Sequence, residues 1–389
     1  MTDKKKLNVG LIGHRFMGRA HTHGYTDVTL FFEPKAIPIK HTLCALGDDL
    51  PQVADRWGFS NWSNDWEEVV ANPDIDMIDI CAPSTLHKEI SIAAAEAGKH
   101  VFCEKPLALN LPDAREMLEA VQEAGVTHSV GFNYRKVPAI AFAKKLIDEG
   151  KIGRIFHFRG MYSQDWLVDP EFPLAWRLRE EAAGGGSSWD LGAHVVDTAR
   201  YLIGELEEVA GFQTTFIKER PIAVVEDGLY AEAGEEMGEV TVDDATSFLA
   251  RFENGAMGVF EMTRYGTGHR NQNRIEVYGS KGGLIWNGFE EMNDLYYYDR
   301  SDPAGEQGFK LLQVGEGIHP YAGNYFPAGH IIGFGETFIH EVLDFVNAIA
   351  DGEQADPSFA DGLRAQEILV AVDRSADEKR WVSISELQS

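Results

Sequence analysis

The chain has 389 residues, 44% of them hydrophobic and 25% charged, more than one hydrophobic core usually organises, so a globular protein of two domains is expected. Acidic residues outnumber basic ones 62 to 35, and the net charge of −27 repels nucleic acid and anionic membrane surfaces, excluding both as expected partners. Cys44, Cys81 and Cys103 lie in apolar segments without C-x-x-C spacing, which suggests neither a zinc site nor a disulfide framework and points to a reducing, cytoplasmic compartment; no apolar run approaches the roughly 20 residues of a membrane span.

"KLNVGLIG" reads as a short strand running into glycine, and "FMGRAHTHGYTDV" after it as a helix. "KHTLCALGDD" is a second strand, followed by a helix through "LPQVADRWG". "DIDMIDICAP" is a third strand, "LHKEISIAAAEAG" a helix and "HVFCEKP" a fourth strand. "NLPDAREMLEAVQEAG" is another helix and "THSVGFNYR" a fifth strand. This alternation predicts βαβ units and a doubly wound parallel sheet, so residues 1–130 are expected to be a Rossmann domain that binds a dinucleotide.

After a helix at "KVPAIAFAKKLIDEG" the pattern becomes aromatic-rich and period-two, with turns such as "ENGA" and "SKGG". Residues 131–389 are therefore expected to form an α+β domain with one large, open, mostly antiparallel sheet, carrying a helix at "SWDLGAHVVDTARYLIGE". The acid-rich "AEAGEEMGEVTVDD" reads as a surface loop.

Gly13 and Gly18 occupy the first and third positions of a G-x-G-x-x-G dinucleotide fingerprint, with Arg15 where the middle glycine belongs. The first glycine permits the tight turn and the third lets helix pack on strand. Arg15, beside Phe16 and Met17, replaces a close backbone approach with a guanidinium able to reach a phosphate at the helix N-terminus. Asp48 at the end of the second strand is the ribose candidate, with Asp49 as its neighbour and a helix N-cap as the other use of either. An acid there without an arginine favours NAD over NADP. Pro83 and Ser84 form the turn placed beside the nicotinamide half, and His87 opens the next helix, as a cofactor contact or as an ordinary helix-start residue.

Glu104, Lys105 and Pro106 stand at the carboxyl end of a parallel strand, the edge where open α/β sheets bind ligands, and a lysine there suits proton exchange with a hydroxyl. In "GGGSSWDLGAHVVD", Asp190, His194 and Asp197 fall on one face of a helix whose other residues are apolar, and ionisable groups in such a setting need partners or a task. Asn133, Tyr134 and Arg135, then Gln164, Asp165 and Trp166, then Trp176 and Arg177, combine flat aromatics with amide, carboxylate and guanidinium groups suited to sugar hydroxyls. Arg179, His269, Arg270 and Arg274 add positive charge that keeps an anionic sugar in view.

"GLIGHRFMGRAH", "CEKPLA" and "GGGSSWDLGAHVVD", in order and along essentially the whole chain, resemble the glucose–fructose oxidoreductase, inositol dehydrogenase and MocA (Gfo/Idh/MocA) family. "FNYRKVPAIAFAKKLI", "YSQDWLVDPEFPLAWR" and "GFGET" followed by "PSFADG" are most similar to its branch of levoglucosan and related pyranoside 3-dehydrogenases. The resemblance implies that Lys105, Asp190 and His194 are catalytic, that the active site lies between NAD and the open sheet, and that the chain forms a homodimer or homotetramer through its large sheets. The reaction then expected is oxidation of a secondary ring hydroxyl, at C3, by hydride transfer to NAD, with no metal required. Lys105 or His194 removes the proton, and Asp190 orients the sugar or tunes the lysine. An NAD-dependent glycosidase working by transient C3 oxidation, acting even on a sulfonated glycoside, and a non-catalytic sensor are the rival readings.

Overall fold

The computed structural model describes residues 4–227 and 230–388. The chain divides into two compact units, the first comprising the residues up to Asn133 and Gly335–Arg364, the second most of Tyr134–Phe334 and the chain from Ala365 onward.

The first unit contains β1 (Lys6–Ile12), β2 (Ile37–Cys44), β3 (Asn61–Ser63), β4 (Met77–Ile80), β5 (His100–Cys103) and β6 (His128–Val130). They form one parallel sheet in the order β3-β2-β1-β4-β5-β6. Helices α1 (Phe16–Phe31), α2 (Leu50–Trp57), α3 (Trp66–Ala71), α4 (His87–Glu96) and α5 (Leu111–Ala124) link the strands. A sheet covered on both faces needs near-continuous apolar strands, and Leu7, Val9, Leu11, Ile78, Ile80, Val101 and Cys103 are all fully buried. The strand order reverses between β1 and β4, the switch point at which such sheets open a crevice for ligands.

The sequence pattern omits β3 and α3, so "DIDMIDICAP" supplies the fourth strand and "HVFCEKP" the fifth. Three residues at a sheet edge are too few to show an alternation. The pattern also omits α10 (Phe334–Asp351), which follows α6 (Pro138–Asp148), α7 (Glu180–Ala183), α8 (Ser187–Asp190) and α9 (Gly192–Ile203), and α11 (Phe359–Glu378). Most of α10 returns to the first unit, where Gly24 of α1 lies so close to it that a Cβ would sit 2.6 Å from the Phe338 carbonyl oxygen.

In the second unit the strands are β7 (Ile155–Ser163), β8 (Leu206–Thr214), β9 (Glu219–Asp227), β10 (Tyr230–Glu239), β11 (Ala245–Phe252) and β12 (Met257–Thr263). β13 (Gln272–Gly279), β14 (Gly282–Trp286), β15 (Asp294–Asp299), β16 (Phe309–Gln313) and β17 (Val382–Ser383) complete the set. Nine of them form one sheet, β16-β15-β14-β13-β7-β12-β11-β8-β17, antiparallel except for the β7–β12 pair. The first part of the acid-rich segment expected to be a loop is instead strand, within β10, which is paired with β9 in a two-stranded sheet. Its residues are nearly all exposed or half-buried, so it lacks the apolar alternation by which a strand is recognised.

Among the described residues no helix is long and apolar enough to cross a membrane. The three cysteines are free thiols.

Candidate active site

Gly13 follows β1 at φ +110°, and a Cβ there would lie 2.3 Å from the carbonyl oxygen of Cys81, just after β4. A Cβ on Gly18 would lie 1.9 Å from the Gly13 carbonyl oxygen, so both positions exclude any side chain. Arg15 occupies the N-cap of α1 without a capping hydrogen bond, and the first turn carries no acid. Arg15 and Phe16 are exposed and Met17 is half-buried. A tight glycine turn at the switch point, leading into a helix start with neither a side-chain cap nor an acid, fits a dinucleotide pyrophosphate.

Asp48 is exposed after β2, as the ribose role requires. Asp49 stands at the N-cap of α2 but makes no capping bond with its side chain; its carboxylate lies 3.7 Å from Nε2 of the buried His14. Pro83 is exposed, and buried Ser84 begins a single turn of 3₁₀ helix before α4. His87 is placed differently from an open cofactor contact: it is 1% exposed, with Nδ1 2.9 Å from the Pro106 carbonyl oxygen and Nε2 3.1 Å from that of Ala82. Burial holds its pKa below the ordinary histidine value, and a neutral ring donates to one of these carbonyls. The side chain thus fastens the turn after β4 to the turn after β5.

Lys105 is half-buried in that second turn. Glu104 before it is buried and accepts the Lys105 backbone N–H at 3.1 Å. The other Glu104 oxygen lies 2.8 Å from Nε2 of His21, whose Nδ1 contacts Asp79. The sequence reading missed both residues. Their signals were a histidine on the inward face of α1 and an aspartate in the otherwise apolar "MIDI".

In the second unit, Asp190 and His194 do not share one uninterrupted helix, since α8 ends at Asp190 and α9 begins at Gly192. Asp243, just before β11, sets this geometry. Its carboxylate accepts the backbone N–H groups of Gly186 and Ser188, each at 3.0 Å, and the hydroxyls of Ser188 at 3.0 Å and Thr246 at 2.7 Å. A Cβ on Gly186 would lie 1.9 Å from the Asp243 carbonyl oxygen, which explains a glycine there. Asp190 is half-buried and forms a 3.0 Å salt bridge with Arg264, which is 1% exposed. The same guanidinium donates to the Gly186 carbonyl at 3.1 Å and lies 5.5 Å from the centre of the Trp166 ring. Arg264 escaped the sequence reading because nothing in "EMTRYG" marks its arginine as buried.

His194 is 8% exposed, its ring 4.3 Å from that of Tyr134, and the Tyr134 hydroxyl is hydrogen-bonded to the Tyr162 hydroxyl at 2.7 Å. Burial pushes the Tyr162 phenol well above its ordinary range. Gln164 and Trp166 are half-buried and joined, indole N–H to amide oxygen, at 2.9 Å, and half-buried Asp165 accepts the Gly268 N–H at 3.1 Å. Arg177 stacks on Trp176, its guanidinium carbon 4.2 Å from the ring centre.

Two of the expected sugar contacts are spent internally. Arg135 is buried in a two-pronged pair with Asp197, at 2.8 and 2.6 Å, and Asn133 donates to the Thr337 hydroxyl at 3.0 Å. Asp197 is therefore a structural partner of Arg135, although helical spacing alone grouped it with Asp190 and His194. Arg274 is likewise paired, at 2.6 Å, with Glu276.

A Rossmann sheet with a nucleotide turn, joined to a domain built on a large, mostly antiparallel sheet, defines an NAD-binding oxidoreductase. Comparison with known proteins agrees. Residues 7–132 match the family model described as the oxidoreductase family with an NAD-binding Rossmann fold, and residues 140–285 match the GFO/IDH/MocA C-terminal domain. The chain belongs to the Gfo/Idh/MocA family. It is 42% identical to levoglucosan dehydrogenase of Pseudarthrobacter phenanthrenivorans over 391 aligned residues, covering 99% of this chain and 100% of the relative. Myo-inositol 2-dehydrogenase of Thermotoga maritima is 29% identical, over 87% of this chain and 89% of that one. The solved structure of levoglucosan dehydrogenase in complex with NADH and levoglucosan superposes with a TM-score of 0.92 over 98% of this chain and 100% of the other. An oxidoreductase domain protein from Kribbella flavida, 44% identical, gives the same TM-score over 98% and 99%.

Proposed function

We propose that the protein is an NAD-dependent dehydrogenase that oxidises the C3 hydroxyl of a pyranose sugar or glycoside, with Lys105, Asp190 and His194 acting on the substrate. The observation that carries this reading is Asp190: a half-buried carboxylate, fixed by a buried arginine and four residues before His194, is a rigid acceptor for a sugar hydroxyl. Full-length similarity to a sugar dehydrogenase supports it further.

NAD, when bound, supplies the hydride acceptor. Gly13, Arg15 and the start of α1 would hold its pyrophosphate, and Asp48 its ribose. Lys105 and His194 provide between them the base that takes the hydroxyl proton and the positive partner that stabilises the alkoxide. Asp190 accepts a neighbouring hydroxyl and so sets the carbon that reacts. Trp166, joined to Gln164 and packed beside Arg264, offers a flat apolar surface to the sugar ring.

The free thiols fit a cytoplasmic enzyme. The exposed Phe212, Leu249 and Met257 on the nine-stranded sheet support assembly into a homodimer or homotetramer.

The test is a panel of pyranoses and glycosides, levoglucosan and anionic glycosides included, assayed in parallel for NADH formation and aglycone release. NADH accumulating with intact glycosidic bonds is the expected outcome. Aglycone release without NADH would replace the proposal with a redox-neutral glycosidase.

A further inference from the structure

We infer that His21 is a positioning residue for Lys105, acting through the Glu104 carboxylate, so that the helix opening the nucleotide turn also fixes the turn that carries the lysine. The inference rests on the proposed role of Lys105 for its catalytic consequence, and on geometry alone for its structural part.

His21, Asp79 and Glu104 come from α1, β4 and the end of β5, and they are 1%, 0% and 5% exposed. Nδ1 of His21 lies 3.0 and 2.9 Å from the two Asp79 oxygens, and Nε2 lies 2.8 Å from Oε1 of Glu104. Carboxylates are acceptors, so the ring donates at both nitrogens only as an imidazolium. Burial opposes that charge, but Asp79 and Cys81 together outweigh it, and the His21 pKa is raised well above the ordinary value. The ring is clamped between Phe102 and Phe338, with centroids 4.9 and 5.5 Å away, and cannot swing to solvent.

Glu104 has as little freedom. A Cβ on Gly131, beyond β6, would fall 2.6 Å from its Oε1, so that glycine leaves the room the carboxylate occupies. With Oε1 against His21, Oε2 is left facing the Lys105 N–H at 3.1 Å. The chain of bonds thus runs from β4 through α1 to the Lys105 peptide. Its other neighbours are the Cys81 thiol, 3.6 Å from Asp79, and the buried Tyr25, whose phenol burial and Asp79 push up; neither supplies a positive charge at neutral pH in place of His21.

His21→Gln keeps a donor for one carboxylate and leaves the other buried without one. Two readouts on the full-length protein test the inference. First, hydrogen exchange at the Lys105 and Leu107 amides, measured without cofactor, is expected to quicken at least tenfold while the β4 amides stay protected. Second, kcat is expected to fall ~10- to 100-fold, the cost of a misplaced reacting group, with NADH affinity changed little. In a Lys105→Ala background the same substitution is expected to cost no further turnover. Unchanged exchange at Lys105 and Leu107, or an equal fractional loss of turnover with and without Lys105, overturns the inference. Full activity of Lys105→Ala would instead sink the proposed function, and the exchange data would still decide whether His21 fixes the turn. If His21→Gln does not fold, Asp79→Asn, which weakens the same chain at its far end, is measured in its place with the same outcomes.

Discussion

The turn at Glu104–Lys105 and the segment Asp190–His194 solve one problem in two ways. In each, a half-buried side chain of the proposed site stands in front of a buried one: His21, 1% exposed, behind Lys105, and Arg264, also 1% exposed, behind Asp190. The first anchor reaches only the lysine's main chain, through Glu104, whereas the second bonds the Asp190 carboxylate itself. Lys105 is therefore positioned by its backbone, and Asp190 is positioned and electrically balanced by the same guanidinium. Disturbing His21 should act on Lys105 through its main chain, by way of Glu104. Disturbing Arg264 should act on the Asp190 carboxylate directly.

Four substitutions probe that difference. The largest effect is expected from removing the reacting groups: Lys105→Ala and His194→Ala should each lower kcat by roughly 10²- to 10⁴-fold, read from initial rates of NADH formation with the folded far-UV spectrum retained. Arg264→Met removes the buried guanidinium that holds the half-buried Asp190, which should cost roughly 1–2 kcal/mol in chemical denaturation and abolish most turnover. Arg264→Lys, which keeps the charge and loses the fork to Gly186, should recover stability before activity.

The two units should also answer pH with opposite signs. Burial, helped by nearby Asp243, pushes the Asp373 carboxyl up to about 7, while bonds from Trp189 and Gln213 resist. Between the unfolded value near 3.8 and about 7, the folded chain keeps a proton that the unfolded chain releases. Stability therefore falls as pH rises through that window, by on the order of 4 kcal/mol, and Asp373→Asn should flatten the fall in thermal melts across the range. His128 of the first unit behaves in reverse. Buried against Phe359 and accepting that residue's N–H at 3.0 Å, it is held neutral, its pKa lowered to about 4. Here the unfolded chain binds the extra proton between about 6.5 and 4, so stability is lost on acidification, by about 3 kcal/mol, and His128→Gln should reduce that acid sensitivity.

What was legible in the sequence was what short-range pattern encodes. The βαβ alternation, the Gly13–Gly18 turn and a lysine at a strand's carboxyl end need no knowledge of distant residues, whereas the break between Asp190 and His194 is set by Asp243 and was not visible in their spacing. What was hidden depends on contacts across the chain. Arg264 bonds a carboxylate 74 residues away, and His21 spans 58 residues to Asp79 and 83 to Glu104. Spacing grouped Asp197 with Asp190 and His194, and only the fold shows Arg135 neutralising it from 62 residues away. The same blindness hid the edge strand β3 and the exposed β10, whose burial is too slight to write an apolar period.

The central claim is hydride removal from one ring carbon, and the most direct measurement is turnover of a pyranoside substrate carrying deuterium at C3. The account predicts deuterium in the NADH that accumulates, together with a slower rate of the chemical step. Deuterium that stays at C3 of the oxidised sugar, with none in the cofactor, would contradict it.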